Sequence, residues 1–300
     1  MTFTQQLATS LLLVGLAAPA MAQGTLDKIK ASGSITVGHR DASIPFSYLD
    51  DKQQPIGYAM DLCARVVDAV KADLKLPALK VVFQPVTSAT RIPLLANGTI
   101  DIECGSTTNN AERQKQVSYT ITHFLTANRF IAKKSSNLNT LADLKGKTVV
   151  STSGTTNIKQ LTELNAAQNL GINILAAKDH AEAFLMVETG RATAFVMDDI
   201  LLASLAANST KPDQWAVSSE ALSQPEPYGI MVRKDDPAFK KVVDAAMVNI
   251  YKSGEINKIY AKWFTSPIAP KNINLNMPMS ATFKNLVANP IDSADPAAYK

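Results

Sequence analysis

The sequence lacks the residues and motifs on which several large classes of protein depend. It contains only two cysteines, Cys63 and Cys104, and three histidines without metal-ligand spacing, so neither CxxC redox chemistry nor a zinc site is indicated. Its Lys and Arg residues form no long basic run, which argues against a nucleic-acid-binding protein. Walker, GxGxxG, HExxH and GxSxG motifs are absent. We therefore expect no metal, no cofactor and no nucleic-acid partner.

Long apolar runs are also missing, except for one at the N-terminus from Leu7 to Ala18. That run is too short for a transmembrane helix of about 20 residues. It is followed by Ala20-Met21-Ala22, the small-x-small pattern of a signal-peptide cleavage site, although the first ten residues carry no Lys or Arg. The sequence predicts a secretory signal peptide over residues 1–22, cleaved after Ala22. No cysteine stands at the cleavage site, so we expect no lipid anchor.

The pairing state of the two cysteines stays open at this stage. In an oxidising compartment Cys63 and Cys104 could form a disulfide. Cys63 falls in a predicted helix and Cys104 in a predicted strand, and the distance between their Cβ atoms cannot be read from sequence. A disulfide and two buried thiols are equally compatible with the pattern.

The remaining chain alternates between strand and helix patterns in two series. A chain of 300 residues suggests about two domains. The predicted strands are Ser34–His39, Lys80–Pro85, Ile100–Cys104, Thr148–Ser151, Asn173–Ala176, Thr193–Met197 and Tyr228–Arg233. Helices are predicted between them, and the tail from Ser266 is expected to be irregular over much of its length. This alternation is typical of α/β proteins with parallel, helix-covered sheets.

The central feature of the sequence is the stretch Ile100–Arg113. A short strand runs through Gly105 into the polar residues Ser106 to Asn109, and the turn Asn110–Arg113 has the pattern of a helix start. Free backbone N–H groups and hydroxyls at the carboxyl edge of a sheet form a seat for an anion. Arg113 could add a two-pronged donor for a carboxylate. An ordinary strand–loop–helix joint with a surface arginine explains the pattern equally well.

Similar polar loops follow most of the predicted strands, and ligands of open α/β sheets bind at that edge. The loops hold Arg40, then Ser88 with Arg91, then Ser106–Arg113, then Ser151–Thr156, then His180 and Asp198. The charges placed at the site are three arginines, Arg40, Arg91 and Arg113, with His180 as a possible fourth cation, and a single acid, Asp198. Each buried ligand charge needs a partner, so this set suits a ligand with two carboxylates and one ammonium. Taken singly, each arginine is more often a solvated surface residue, and Asp198 could be a helix N-cap.

Several stretches together resemble one family, the periplasmic solute-binding proteins of polar amino-acid ABC transporters. The matching stretches are Leu94–Asp101, Thr107–Arg113, Leu141–Lys147 and Ser253–Phe264. Within the family the chain is most similar to glutamate/aspartate-binding members. The strings that carry this closer likeness are Val37–Arg40 with Ile44–Tyr48, Ser88–Pro93, Glu103–Asn110, Lys178–His180 and Met197–Asp199.

The resemblance implies an α/β fold of two lobes, the type II periplasmic binding-protein architecture, in which each lobe is a helix-covered, mainly parallel sheet. Residues 24–125 and 228–300 would form lobe 1 and residues 126–227 lobe 2. Two hinge strands would cross near Phe124–Phe130 and Glu226–Ile230. Ligand contacts from both lobes favour the closed form, so binding would close the hinge.

The resemblance also implies a role for each loop residue. Arg113, Ser106 and Thr108 would hold the ligand α-carboxylate, and Asp198 the α-ammonium. The side-chain carboxylate would be held by Arg40, Arg91 and His180, while Ser88, Thr152 and Thr156 would supply further hydrogen bonds.

The expected function is capture of L-glutamate or L-aspartate in the periplasm by a monomer, and delivery to the membrane permease of an ABC importer. Binding of another amino acid such as glutamine, or of a dicarboxylate, remains an alternative. Some relatives of this fold are cyclic-acid dehydratases, which need a general acid or base such as His180 or Glu103. A carboxylate among arginines is held ionised rather than tuned as an acid. We therefore expect a binding protein and not an enzyme.

Overall fold

The computed structural model describes residues 24–299, so the predicted signal peptide lies outside the described residues. Its α-helices are α1 (Thr25–Ser32), α2 (Tyr58–Leu74), α3 (Arg91–Ala96), α4 (Thr156–Ala167), α5 (His180–Glu188), α6 (Asp199–Asn208), α7 (Pro237–Lys252), α8 (Glu255–Phe264) and α9 (Ala281–Ala288). Short 3-10 helices include Arg113–Lys115, Leu141–Leu144 and Pro296–Tyr299.

The strands follow the predicted positions closely. They are β1 (Ser34–His39), β2 (Ala42–Ser43), β3 (Ser47–Leu49), β4 (Pro55–Ile56), β5 (Lys80–Pro85), β6 (Ile102–Cys104), β7 (Val117–Tyr119), β8 (Phe124–Thr126), β9 (Asn128–Lys133), β10 (Thr148–Thr152), β11 (Asn173–Ala177), β12 (Ala194–Asp198), β13 (Trp215–Val217), β14 (Glu226–Tyr228) and β15 (Met231–Arg233). Strands β2, β3 and β4 form a small separate sheet.

Two five-stranded sheets dominate the molecule, with strand orders β5-β1-β6-β15-β7 and β11-β10-β12-β9-β13. In the first sheet β1 runs parallel to β5 and β6, and only β15 is reversed, because it is antiparallel to both β6 and β7. The second sheet repeats this pattern, with β9 reversed between β12 and β13. The mainly parallel α/β fold is thereby confirmed. We refer to the parts built on the first and second sheets as the first and second lobes.

A separate antiparallel pair, β8 with β14, carries the chain between the two sheets and is called the hinge pair below. The sequence predicted one strand over Tyr228–Arg233, and this is wrong: β14 ends at Tyr228 and β15 begins at Met231. Between them the Gly229 amide donates to the Thr107 carbonyl and the Thr120 amide donates to the Ile230 carbonyl. The backbone thus leaves the hinge pair before it joins the first sheet.

The disulfide left open by the sequence is formed. Cys63 of α2 and Cys104 at the end of β6 are bonded, with a Cα–Cα distance of 6.2 Å. Cys104 is fully buried and Cys63 nearly so. The crosslink therefore fixes α2 to the strand that leads into the Ser106–Asn109 loop.

The C-terminal tail is more regular than expected, because it contains α9 and the 3-10 helix Pro296–Tyr299. The Ser280 side chain caps α9 by accepting from the Phe283 amide, and Phe283 is buried. Further along, the Thr122 amide donates to the Ile291 carbonyl at 2.8 Å. Burial of the Phe283 ring and these hydrogen bonds stabilise regular structure in the tail despite its Pro- and Asn-rich composition.

His123, just before β8, is buried among aromatic rings. Its ring lies about 6 Å from those of Phe46, Tyr58 and Tyr228. Neither ring nitrogen has a hydrogen-bond partner within residues 24–299. Burial consequently lowers the pKa of His123 from 6.5 to about 3.

We expect His123→Phe to remove part of the acid sensitivity of folding. The unfolded chain takes up a proton on His123 below pH 6.5 and the native protein does not until about pH 3, so the free energy of unfolding falls between these values. At pH 5 this loss amounts to about 2 kcal/mol. Urea unfolding of both proteins at pH 7.5 and pH 5 measures it, and identical pH slopes would contradict the prediction.

Candidate functional site

The predicted loop residues meet between the two sheets, as the strand directions require. Eight of the ten line one small cavity with about 200 Å³ of empty volume. We call it the cleft cavity. Its lining is Ser88, Arg91, Ser106, Thr108, Arg113, Thr156, His180 and Asp198, together with Thr155, Asn157, Met197 and Leu201.

The other two predicted residues, Arg40 and Thr152, do not line the cleft cavity. The hydroxyl of Thr152 lies 2.9 Å from Nδ1 of His180 and so fixes the orientation of the imidazole. Arg40 is buried, with 2% of the residue exposed, and lines a neighbouring cavity with Lys178 and Asp179. Thr152 therefore acts through His180, while Arg40 stands behind the first layer of side chains.

Arg113 bridges the loops of the two lobes. Its Nη1 donates to the Thr108 carbonyl at 2.9 Å, and its Nη2 donates to the Gly154 carbonyl of the loop after β10 at 3.2 Å. The predicted helix start at Asn110–Arg113 is wrong, since only a three-residue 3-10 helix forms before β7 begins. The Asn110 side chain accepts from the Arg113 amide, which holds this tight turn.

The second lobe contributes its residues from two capped helix starts. Thr155 caps α4 by accepting from the Ile158 amide, and Asp179 caps α5 by accepting from the Glu182 amide. These caps begin the helices at Thr156 and His180, so both side chains are held by the first helical turn at the cavity wall.

The charge balance of the site differs from the sequence count, because two further acids are buried there. Glu103 of β6 is fully buried, and its Oε1 lies 3.8 Å from Nη1 of Arg91. Arg91 donates to the Thr107 hydroxyl, which donates to Oε2 of Glu103 at 2.8 Å. Glu226 of the hinge pair accepts from Thr156 at 3.3 Å. Within the part of the chain that the structure describes, Asp198 is the only acid in the lining of the cleft cavity, and these two carboxylates contact lining residues from outside it.

His180 is not a fourth cation. Burial, together with the neighbouring charges of Arg40 and Arg91, holds the pKa of His180 well below its ordinary 6.5. The imidazole is therefore neutral at pH 7 and acts as a hydrogen-bonding group. Burial also lowers the pKa of Arg91 to about 9, partly offset by Glu103, which leaves the guanidinium charged at pH 7.

Asp198 ends β12 at the cavity and is held by the hinge pair and by α4 of the second lobe. The Tyr228 hydroxyl of the hinge pair donates to its Oδ2, and the Asn157 amide donates to its Oδ1 at 2.8 Å. Asp198 occupies the N-cap position of α6, yet its side chain makes no capping hydrogen bond. Burial, reinforced by the nearby charge of Glu226, raises the pKa of Asp198 to about 7.

Besides Oε1 of Glu103, which faces Arg91, four buried polar groups around the site have no hydrogen-bond partner among residues 24–299. They are Nη1 of Arg40, Nε of Arg91 and the hydroxyls of Ser88 and Ser106. Buried donors are nearly always satisfied, and each one left alone costs roughly 1–3 kcal/mol. All four belong to the first lobe and all can donate, so the site is built to receive an acceptor-rich group.

Within the same range no group of His, Cys, Asp and Glu side chains could hold a metal ion. Among residues 24–299 no helix combines the length and apolarity needed to cross a membrane.

The two-lobed fold with a polar cavity between its lobes is that of a solute-binding protein. Residues 35–266 match the family of bacterial extracellular solute-binding proteins, family 3, and the chain belongs to that family. A mutant form of the arginine-binding protein ArgBP of T. maritima superposes with a TM-score of 0.70 at 28% identity, covering 80% of this chain and 98% of that one.

Closer relatives are known by sequence. The chain is 56% identical over 292 residues to the L-glutamate/L-aspartate-binding protein of Pseudomonas aeruginosa, covering 96% of each chain. It is 49% identical over 278 residues to the glutamate/aspartate import solute-binding protein of Escherichia coli K12, covering 93% of this chain and 91% of that one. These relatives are binding proteins, and the chain is accordingly a binding protein and not an enzyme.

Proposed function

We propose that this protein captures L-glutamate or L-aspartate in the periplasm and delivers it to the permease of an ABC importer. The observation that carries the proposal is the group of buried, unsatisfied donors from Arg40, Ser88, Arg91 and Ser106. A ligand with two carboxylates supplies acceptors for the three that line the cleft cavity, Ser88, Arg91 and Ser106, and the names of the similar Pseudomonas and Escherichia proteins point to the same ligands. We further propose that the protein acts as a monomer after cleavage behind Ala22.

In this proposal the carboxylates are held mainly by the first lobe. Arg113, Ser106 and Thr108 take the α-carboxylate at the end where Arg113 bridges the two lobes. Arg91 and the neutral imidazole of His180 bind the side-chain carboxylate, with Ser88 beside them in the cavity lining. Arg40, which does not line the cavity, adds positive charge from behind this wall. Thr156 contributes a hydroxyl, and Thr152 orients His180.

The ligand ammonium would pair with Asp198, which the Tyr228 hydroxyl and Asn157 hold in place. The pairing would lower the pKa of Asp198, because a nearby positive charge favours the carboxylate. Lobe 1 is proposed to comprise residues 24–125 and 228–300 and lobe 2 residues 126–227. This division is supported by the two sheets, each of which lies within one lobe, and by the hinge pair, both strands of which cross the proposed boundaries. Contacts from both lobes to one small ligand would favour the closed arrangement.

The direct test is calorimetric titration of the mature protein, stripped of ligand by unfolding and refolding. We expect tight binding of L-glutamate and L-aspartate, and binding of L-glutamine weaker by roughly 10- to 150-fold, because a neutral amide replaces a charged acceptor. A folded sample that gives no heat with the two acids would refute the proposal. Equal affinity for glutamate and glutamine would refute the assignment of Arg91 and Arg40 to the side-chain carboxylate.

Binding of either acid should weaken as the pH falls below about 7. Asp198 must be ionised to pair with the ammonium, and its raised pKa means that the unoccupied carboxylate takes up a proton near that pH. The association constant should then fall by up to about tenfold per pH unit between pH 7 and 5.5. Titrations in buffers of different ionisation enthalpy should show net proton release on binding at pH 6. Net proton uptake would contradict the prediction.

A further inference from the structure

Gly154 lies in the loop between β10 and α4, with a φ of +75°. A Cβ at this position would lie 2.5 Å from Cα of Ala89, 2.7 Å from N of Ala89 and 2.8 Å from C of Ser88. All three are backbone atoms of the other lobe, so no side-chain rotation could relieve the overlap. The backbones of the two lobes therefore meet at Gly154 at a distance that only glycine allows.

This contact lies directly beside the cleft cavity. Ser88 lines the cavity from the first lobe, and Thr155 and Thr156, which follow Gly154, line it from the second. The carbonyl of Gly154 also accepts the hydrogen bond from Nη2 of Arg113 at 3.2 Å. One residue thus links a close approach of the two backbones to the arginine assigned to the α-carboxylate.

We propose that Gly154 sets how closely the two lobes approach each other, and that its missing side chain is required for the cleft to close on an amino-acid ligand. The inference rests on the proposed function. Ordinary contacts at a Cβ are 3.4–4 Å, so a methyl group there must push the loops apart by about an ångström. The ligand would keep its partners in the first lobe and lose contact with Asp198 and Thr156 in the second.

The test compares Gly154→Ala with Gly190→Ala. Gly190 also belongs to the second lobe and has a φ of +78°, but no atom of residues 24–299 lies within 4 Å of the position that a Cβ would take there. Both substitutions carry the same backbone strain, and only the first obstructs closure. We expect Gly190→Ala to bind L-glutamate like wild type. Gly154→Ala should bind L-glutamate, L-aspartate and L-glutamine all about 10- to 100-fold more weakly, the range that overpacking of a close contact produces.

Small-angle X-ray scattering measures the radius of gyration of the whole molecule, which a purely local effect of the substitution would not change. At saturating L-glutamate, wild type and Gly190→Ala should show a reduced radius of gyration, and Gly154→Ala a smaller reduction. Gly154→Asn and Gly190→Asn provide a second pair, because Asn tolerates the left-handed backbone better than Ala and keeps the larger obstruction. This pair keeps the test decisive if Gly154→Ala folds poorly.

The outcomes separate this inference from the function on which it rests. Wild type that binds no amino acid refutes the proposed function, and the inference falls with it. Wild type that binds, with Gly154 variants that bind and compact like their Gly190 counterparts, overturns the inference alone. Selective loss of glutamate affinity with glutamine affinity retained would also overturn it, because an obstructed cleft must weaken every ligand.

Discussion

Arg113→Ala should weaken binding of L-glutamate, L-aspartate and L-glutamine alike by at least about 30-fold. The α-carboxylate is common to all three, and Arg113 is the arginine held at the bridge between the lobes by the carbonyls of Thr108 and Gly154. Loss of one partner from a buried charged pair costs about 2–5 kcal/mol, on the order of 30- to several-thousand-fold in affinity. Calorimetric titration with the three ligands measures the loss.

Two further variants test whether the loss of affinity in Arg113→Ala is specific to the guanidinium of Arg113. Arg65→Ala removes an arginine whose side chain is 51% exposed, and it should leave affinity unchanged. Arg113→Lys retains the charge without the planar fork, and it should recover only part of the affinity if two-pronged binding matters. Glutamate affinity in Arg113→Ala within threefold of wild type would show that the α-carboxylate is bound elsewhere.

Arg91→Met should weaken acidic ligands far more than glutamine. Arg91 is buried at the wall of the cleft cavity, and burial lowers its pKa only to about 9, so it carries a full charge at pH 7. A side-chain carboxylate would lose a charge-assisted partner worth about 1.5–3 kcal/mol, whereas the neutral amide of glutamine would lose about 0.5–1.5 kcal/mol. The ratio of the glutamine Kd to the glutamate Kd should therefore fall clearly below its wild-type value.

A control is needed because Arg91 also neutralises Glu103. Removing the Arg91 guanidinium leaves the Glu103 carboxylate buried without its nearby positive charge. This loss destabilises the protein whether or not a ligand is bound. The double variant Arg91→Met/Glu103→Gln removes both charges, so stability should recover while glutamate affinity stays low. Recovery of glutamate affinity in the double variant would mean that Arg91 acts only on Glu103. An unchanged ratio in Arg91→Met would place the side-chain carboxylate elsewhere.

Much of the site follows from the sequence because strand ends are easy to recognise. Polar residues after β6, β11 and β12 must lie at one edge of their sheets, and this alone nominates Arg113, His180 and Asp198. The sequence did not place Glu103 in the charge balance of the binding site, because it sits inside a strand and gives no loop signal. Glu226 was equally hidden, since it reaches the site only through the crossing of the hinge pair. Both acids change the charge balance of the site.

The two errors in the predicted secondary structure have one cause: each prediction used only the local sequence pattern. The pattern Asn-Ala-Glu-Arg at Asn110–Arg113 is a good helix start, but the chain must reach β7 at Val117, so only a 3-10 turn has room. Tyr228–Arg233 has the composition of one strand, but it contains the passage from the hinge pair to the first sheet. Long-range pairing decided both cases, and a local pattern carries no information about it.

The disulfide between Cys63 and Cys104 also alters the topology of the chain. It closes a covalent ring whose ends are 41 residues apart in sequence, and Ser88 and Arg91 lie inside that ring, while Ser106 follows two residues beyond its closing bond. Even an unfolded chain therefore keeps these three residues tethered to one another. By the loop-entropy relation a ring of this size removes about 4 kcal/mol of unfolded-state freedom. Three of the four buried donor residues of the site, Ser88, Arg91 and Ser106, thus stay tethered by this crosslink when the lobes lose their packing.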